Sequence, residues 1–208
     1  MSSGGGPGVD SGSSPWLAGR PEERLEGGGI TLRRSCVGDL EELVEAVNDS
    51  LEHLRPWMPW AQEPATPESI GTFLRQADTT WRDGREFQFA IRGPRGAEPD
   101  ALIGFCGLHD RVGAGALEIG YWVRVDCTGR GVATMAASLL ARTALALDGV
   151  ARVEIRCDEG NVRSAAVPPK LGFRLDRVLA EPALAGHACR RWPSPDAITS
   201  AGDPPGTG

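Results

Sequence analysis

Basic residues are scarce in this chain of 208 residues, since 22 lysines and arginines stand against 28 aspartates and glutamates. A protein that neutralises nucleic-acid phosphates needs clustered lysine and arginine, so this balance predicts no nucleic-acid partner. Long apolar runs are also missing, because the longest, residues 132–147, is interrupted by Ser138, Arg142 and Thr143. The chain opens with MSSGGGPGVDSGSSP, where a secreted protein has an apolar signal segment. We therefore expect a cytoplasmic protein with no membrane partner.

Residues spaced to form disulfides or to bind metals are missing as well. The five cysteines are odd in number and scattered, and no two are spaced as CxxC. The three histidines have no metal-ligand spacing either, so the sequence predicts no metal site and no disulfide framework. Unpaired cysteines suit a reducing compartment, which again favours the cytoplasm.

Glycine and proline are abundant, but they are concentrated at the two ends of the chain. Residues 1–29 are rich in glycine, serine and proline and lack apolar periodicity, and residues 193–208 have the same character. Such composition is typical of disordered segments. The sequence thus predicts one folded domain over residues 30–192 between two disordered tails. The glycine, proline, arginine and alanine content indicates a bacterium of high GC content as the source.

The folded part alternates between patterns typical of strands and of helices. Residues 39–54, for example, carry an apolar stripe with a period of 3.6, and Thr66 followed by Pro67 marks the start of a second helix. Strands are predicted at 30–33, 86–91, 101–108, 116–125, 152–157, 173–179 and 187–192, and helices at 39–54, 66–82, 132–147 and 161–171. This order predicts a mixed α/β (α+β) fold with a mostly antiparallel central sheet of six to seven strands and about four flanking helices.

A strand that ends in a glycine loop and opens a helix is the most informative segment. The strand is Glu118–Val123, and the loop with the start of the helix reads Thr128-Gly129-Arg130-Gly131-Val132-Ala133-Thr134. We call residues 128–131 the glycine loop. Its backbone N–H groups and the helix dipole would form an anion site suited to a pyrophosphate. An ordinary strand, turn and helix would have the same sequence features.

Two further segments give this motif a family context. Asn161-Val162-Arg163-Ser164 is followed by Lys170-Leu171-Gly172-Phe173, and residues 53–60 read HLRPWMPW. In this order the three segments resemble those of the GCN5-related N-acetyltransferase (GNAT) superfamily, and the tryptophan-rich turn resembles its RimJ/RimL-type branch. The resemblance covers residues 30–192. It implies a GNAT-like fold that uses acetyl-CoA as co-substrate.

The resemblance also assigns residues to acetyl-CoA. Trp122 and Val123 would contact the pantetheine arm in a gap between the strand at 116–125 and the strand at 152–157. Asn161 would hydrogen-bond the same arm. The pyrophosphate would bind Gly129, Arg130, Gly131, Val132, Ala133 and Thr134. Two departures bear on this site: Thr128 replaces the usual glutamine or arginine of the loop, and Pro168 replaces a tyrosine found in many relatives, with Pro169 after it. The paired prolines predict a shortened or kinked final helix.

Transfer to an amine requires a proton acceptor for the amine and a proton donor for the leaving thiolate. With no tyrosine at position 168, Ser164 is the candidate donor, although it would serve equally as a helix cap. Glu118 and Glu181 are alternative candidates for the base, and each has an equally good interpretation as a surface carboxylate. His109, at a strand end before Asp110, is a further candidate proton acceptor, with a polar strand end as the more common interpretation of such a residue. Trp57 and Trp60 are assigned to an aromatic wall for the acceptor, with packing of the turn as the alternative.

These assignments predict an N-acetyltransferase that moves an acetyl group from acetyl-CoA to a primary amine by direct attack in a ternary complex. The acceptor would be a protein N-terminus or a small molecule, and the protein a monomer or homodimer. Two alternatives stay open. One is a degenerate, non-catalytic CoA-binding domain, suggested by Thr128 and Pro168. The other is an N-acyltransferase for small amines or antibiotics that uses another acyl-CoA, such as succinyl-CoA.

Overall fold

The computed structural model describes residues 16–158, 160–179 and 187–191. The strands are β1 (Arg24–Gly27), β2 (Ile30–Arg34), β3 (Glu86–Arg95), β4 (Glu98–His109), β5 (Ala116–Val123), β6 (Arg152–Asp158), β7 (Arg174–Leu179) and β8 (His187–Arg191). The helices are α1 (Leu40–Asp49), α2 (Leu51–Leu54), α3 (Pro67–Arg82), α4 (Val132–Leu145), α5 (Val162–Ala165) and α6 (Val167–Lys170). Two 3-10 turns, Val37–Asp39 and Val125–Cys127, precede α1 and the glycine loop.

The eight strands form one sheet in the order β1-β2-β3-β4-β5-β6-β8-β7. All neighbouring pairs are antiparallel except β5 and β6, which run parallel. The predicted mixed, mostly antiparallel sheet is confirmed, with eight strands in place of the six to seven expected. The one parallel pair lies in the middle of the sheet, because helix α4 crosses over one face between β5 and β6.

The additional strand is β1, whose residues fall in the segment predicted to be disordered. It pairs with β2 from Arg24↔Arg33 to Gly27↔Ile30. Gly28 and Gly29 have φ of +62° and +77°, which suits a tight hairpin turn. The prediction of a disordered segment up to residue 29 was wrong here, because glycines in a hairpin turn cannot be told from those of a disordered tail by composition. Residues 1–15 and 193–208 lie outside the described residues.

Two predicted helices are each divided in two, which raises the number of helical segments from four to six. The first divides at buried Ser50, which has φ of -106° and ψ of 5° between α1 and α2. The other divides at Ala166 between α5 and α6. Pro168 and Pro169 have no N–H to donate, so they are accommodated in the first turn of a new helix. The predicted interruption of the final helix is therefore confirmed.

Helices cover both faces of the sheet. On one face α4 packs over buried side chains that include Phe87, Leu117 and Ile119. On the other, α1 and α3 pack over Leu102 and Phe105. Burial of each such side chain contributes roughly 1.5–3 kcal/mol to stability. Among the helices in the described ranges, none has the length and apolar character needed to traverse a bilayer.

Candidate active site

The central feature of the site is a gap where β5 and β6 part. The two strands are paired from Ala116↔Arg152 to Ile119↔Ile155, and the pairing ends there. β5 nevertheless runs on to Val123, held on its outer side by β4, and β6 runs on to Asp158, held by β8. Residues 120–123 of β5 therefore face the gap with a strand edge, and such an edge can pair with an extended chain.

The glycine loop stands at the end of this edge and leads into α4. Gly129 and Gly131 have φ of +77° and +80°, a region that disfavours side chains. Around the Cβ position of each, no atom of the described residues lies within 4 Å. Gly131 caps α4 without a side-chain hydrogen bond, and the first turn carries no acidic residue. Because the first N–H groups of a helix have no intrahelical acceptor, the loop and helix form a site that fits a pyrophosphate.

The polar side chains of the glycine loop are used within the loop. The Thr128 hydroxyl donates to the carbonyl of Val125 at 2.9 Å, and the Arg130 guanidinium donates to the carbonyl of Asp126 at 2.9 Å. Thr128 thus braces the turn rather than extending a long side chain toward a ligand. Anion binding at this loop depends on its backbone.

A buried arginine fixes the loop to the opposite side of the site. Arg124 is 2% exposed, and its guanidinium donates to Asp49 on α1 at 2.5 Å and to Asp126 at 3.4 Å. The adjacent N–H of Val125 donates to the hydroxyl of Ser50 at 3.2 Å. The break between α1 and α2 is therefore hydrogen-bonded to the chain that enters the glycine loop.

On the β6 side of the gap, Asn161 and Ser164 begin α5. The Asn161 side-chain oxygen accepts from the N–H of Ser164 at 3.1 Å, so Asn161 is the cap of this helix. The side-chain amide of Asn161 is left with its two N–H groups to donate to a ligand. The Ser164 hydroxyl lies 3.3 Å from the hydroxyl of Tyr121, which also donates to the Ser164 carbonyl at 3.3 Å.

Tyr121 is a site residue that the sequence analysis missed. It is the only tyrosine of the chain and lies on β5, next to the predicted pantetheine contact Trp122. The sequence did contain a signal for Tyr121, because successive side chains of a strand point to opposite faces of the sheet. Tyr121 therefore lies on the face opposite Trp122. The structure shows that this face carries α5 and brings a phenol to Ser164, although position 168 holds a proline.

Aromatic side chains from the turn after α2 reach both walls of the gap. We call residues 55–61 the tryptophan turn. Trp60 is 53% exposed, and its ring centroid lies 6.2 Å from that of Trp122 on β5. A Cβ on Gly160, just after β6, would lie 3.7 Å from the ring of Trp57. The turn therefore spans the gap, with Trp57 packed near β6 and Trp60 accessible near β5.

Comparisons with known proteins agree with this geometry. Residues 30–174 match the acetyltransferase (GNAT) domain family. The chain belongs to the GNAT family. It is 32% identical over 147 residues to YdaF of Bacillus subtilis (strain 168), which is named as a ribosomal N-acetyltransferase, and the match covers 69% of this chain and 77% of YdaF. The resemblance found in the sequence, including its RimJ/RimL-type branch, is confirmed, and the protein is an acyltransferase of this type.

Two solved structures of GNAT proteins show the same fold at lower identity. The microcin C7 self-immunity acetyltransferase MccE, in complex with acetyl-CoA and AMP, has a TM-score of 0.71 at 19% identity and covers 80% of this chain and 93% of its own. RimL, the ribosomal L7/L12 alpha-N-protein acetyltransferase, in complex with coenzyme A, has a TM-score of 0.67 at 17% identity and covers 81% of this chain and 96% of its own.

Of the two glutamates considered as the base of this GNAT domain, Glu118 is engaged in ion pairs. It is 5% exposed, and its two carboxylate oxygens lie 2.5 Å from Arg111 and 3.6 Å from Arg156. Next to it, the fully buried Glu154 lies 3.5 Å from the same Arg156. The other glutamate, Glu181, lies outside the described residues.

A histidine and a carboxylate lie on the same face as Glu118. His109, the last residue of β4, is paired with Glu86 of β3 and with Glu118 of β5 in the sheet register. Its Nδ1 lies 3.2 Å from the Glu86 carboxylate. This contact with His109 holds the pKa of Glu86 below its ordinary value, against the opposing effect of burial. The approach is close but does not have the geometry of a hydrogen bond. The interpretation of His109 as a mere strand end overlooked this contact, because strand pairing cannot be read from one strand.

Proposed function

We propose that this GNAT protein transfers the acetyl group of acetyl-CoA to the α-amino group of a protein N-terminus, by direct attack in a ternary complex. The observation that carries the proposal is the parting of β5 and β6 beside the glycine loop, where no side chain caps the start of α4. The gap gives a thioester access to the centre of the sheet, and the loop offers backbone N–H groups to the pyrophosphate. Trp122, Val123 and Asn161 line the path between them.

In the reaction, the unprotonated amine nitrogen attacks the thioester carbonyl carbon. A new N–C bond forms, the C–S bond breaks, and a proton must leave the amine while the thiolate gains one. Ser164 is the proposed donor to the thiolate. Its hydroxyl is held by Tyr121 rather than being used as the cap of α5, since Asn161 fills that role.

Similarity to YdaF supports a protein amine as acceptor. Its name refers to ribosomal acetylation, and the RimL structure is named for transfer to an alpha-N-protein acceptor. The exposed Trp60 beside Trp122 would cover the first residue of a peptide chain as it enters the gap.

A second candidate acceptor is a small amine that carries a planar ring. The tilted pair of Trp60 and Trp122, with a centroid separation of 6.2 Å, provides a surface on which such a ring could stack. This acceptor would use the same gap and glycine loop.

The test begins with calorimetric titration of the protein with acetyl-CoA, with succinyl-CoA and with CoA. Acetyl-CoA should bind at micromolar concentration, and failure of all three to bind at millimolar concentration would refute the proposal. Transfer is then measured by thiol release with peptides that begin with serine or alanine and with aromatic small amines. Binding without any transfer would identify a non-catalytic CoA-binding domain.

A further inference from the structure

His109 lies directly over the point where the gap begins. If Gly120 carried a Cβ, that atom would be 3.1 Å from Nε2 of His109. Gly120 is the first residue of β5 beyond the last pair with β6, Ile119↔Ile155. The imidazole therefore occupies space that only a glycine leaves free, at the entrance to the gap. It is on the same face of β5 as Trp122, two residues further along the strand.

The carboxylate of Glu86 lies beside the other ring nitrogen of this imidazole. The carboxylate lies 3.2 Å from Nδ1, and the side chain of His109 is 13% exposed. A carboxylate at one ring nitrogen favours the tautomer in which that nitrogen carries the proton, which leaves the other as an acceptor. Here the accepting nitrogen is Nε2, the one that faces Gly120.

The other described candidate for the base is less suited to accept a proton. Glu118 is opposite His109 in the register, but its carboxylate is paired with Arg111 and lies close to Arg156. Both carboxylate oxygens of Glu118 therefore already have a guanidinium group within reach. Glu118 is therefore engaged in ion pairs with two arginines, whereas Nε2 of His109 lies beside Gly120, where the gap begins.

We propose that His109 is the proton acceptor for the attacking amine and that Glu86 is its positioning residue. This inference rests on the proposed acetyl transfer. As the N–C bond forms, the proton of the amine nitrogen moves to Nε2, and the electron pair of the C–S bond leaves with the thiolate. The thiolate takes the proton of the Ser164 hydroxyl, and the serine regains a proton from solvent. The imidazolium, beside the Glu86 carboxylate, gives its proton to solvent. The charged groups that face His109 are Glu86 from β3, Glu118 from β5 and Arg111 from the turn after β4.

The decisive variant is His109→Asn, because its amide nitrogen replaces Nδ1 beside Glu86 while nothing replaces Nε2. We expect acetyl-CoA to bind as in the original protein and kcat for a serine-initiated peptide to fall about 100-fold or more. The acidic limb of the pH profile of kcat/KM should then reflect only the protonation of the substrate amine. Glu86→Gln should have a smaller effect, about 10-fold, while Glu68→Gln on the exposed surface of α3 serves as a control.

A measurement without substrates tests the contact itself. Carboxyl NMR titration should show the pKa of Glu86 rising toward its ordinary value in His109→Gln and staying low in the Glu68→Gln control. An unchanged Glu86 titration would overturn the proposed pair. A His109→Asn variant that keeps kcat within twofold, with an unchanged pH profile, would overturn the role of His109 alone. If the wild-type protein transfers an acetyl group to no amine, the proposed function and this inference are both overturned.

Discussion

The two halves of the site are built from different parts of the chain. The backbone half, residues 120–123 with residues 128–134, offers main-chain groups from one contiguous stretch. The side-chain half, made of Trp60, His109, Glu118 and Ser164, draws on four separate segments. The backbone half depends on glycine conformations and a helix start, which are local properties. The side-chain half depends on strand register and on a turn between helices, so one substitution there should change chemistry without removing the binding site.

The strongest test concerns Arg124, which ties the two halves together. In Arg124→Met, the ion pair between the buried guanidinium and the exposed carboxylate of Asp49 is lost, and the glycine loop loses its anchor. Loss of a hydrogen bond between charged groups costs about 1.5–3 kcal/mol. Because the remaining Asp49 is exposed, we expect the unfolding free energy in urea denaturation to fall by about 1.5 kcal/mol, the lower end of that range. Arg142→Met, at an exposed position of α4, is the control. Equal stability of the two variants would show that the loop holds its shape without this anchor.

Ser164→Ala should separate chemistry from binding. Loss of the proton donor should lower kcat by about 100-fold, while calorimetry should show acetyl-CoA binding unchanged. Tyr121→Phe, which removes the hydroxyl 3.3 Å from Ser164, should lower kcat by a smaller factor. Ser138→Ala on α4 provides the comparison. If Tyr121→Phe proved the more damaging variant, the phenol rather than the serine would be the donor.

Gly131→Ala tests the backbone half. A residue with a Cβ at φ of +80° is strained by about 1–2 kcal/mol, and relief of that strain would turn the N–H groups of the loop away from an anion. The Kd for acetyl-CoA should rise roughly 10-fold. The matched control is Gly113→Ala, which has φ of +92° in the exposed turn after β4 and should lose similar stability with no change in Kd. Equal Kd values in both variants would contradict the role of the loop.

Trp60→Ala tests the aromatic surface of the side-chain half. Since Trp60 is 53% exposed, its removal should leave stability nearly unchanged. Loss of an aromatic contact of about 1 kcal/mol should raise KM for the peptide several-fold and leave the Kd for acetyl-CoA as it was. In Val37→Ala, which shortens an exposed apolar side chain in the 3-10 turn before α1, KM should not change. A normal KM in Trp60→Ala would assign this side chain to packing of the turn.

The smallest expected effect is on the pH dependence of stability, and it concerns Glu42, a residue outside both halves of the site. Burial opposes ionisation of Glu42, but the hydrogen bond from Arg92 lowers the pKa of its carboxyl below the ordinary value. A lowered folded-state pKa gives stability that is present above the unfolded value and is lost as pH falls through the folded one. Solvent screening limits this to about 0.5 kcal/mol. Denaturation of Glu42→Gln, with Glu41→Gln as control, should show that difference at pH 7 and a shrinking one as the pH falls below 4.5.

Local features of the sequence were enough to predict most of the fold and the backbone half of the site. The glycine loop, the helix after it and the interruption at Pro168 follow from the conformational preferences of single residues. What failed depended on partners distant in sequence. The composition around β1 predicts a tail, because only the pairing of β1 with β2 makes Gly28 and Gly29 a hairpin turn. The contact of His109 with Glu86 required the register of β3 against β4.

Ser50, between α1 and α2, connects the expected binding sites of acetyl-CoA and of the amine. The hydroxyl of Ser50, the residue between α1 and α2, accepts from the N–H of Val125 at 3.2 Å. The helix that leads into the tryptophan turn is therefore hydrogen-bonded to the chain that enters the glycine loop. Binding free energies at connected sites are reciprocal. If bound acetyl-CoA strengthens the binding of the amine, the amine therefore strengthens the binding of acetyl-CoA by the same factor. In Ser50→Ala, which lacks the hydrogen bond to Val125, this factor should be closer to one.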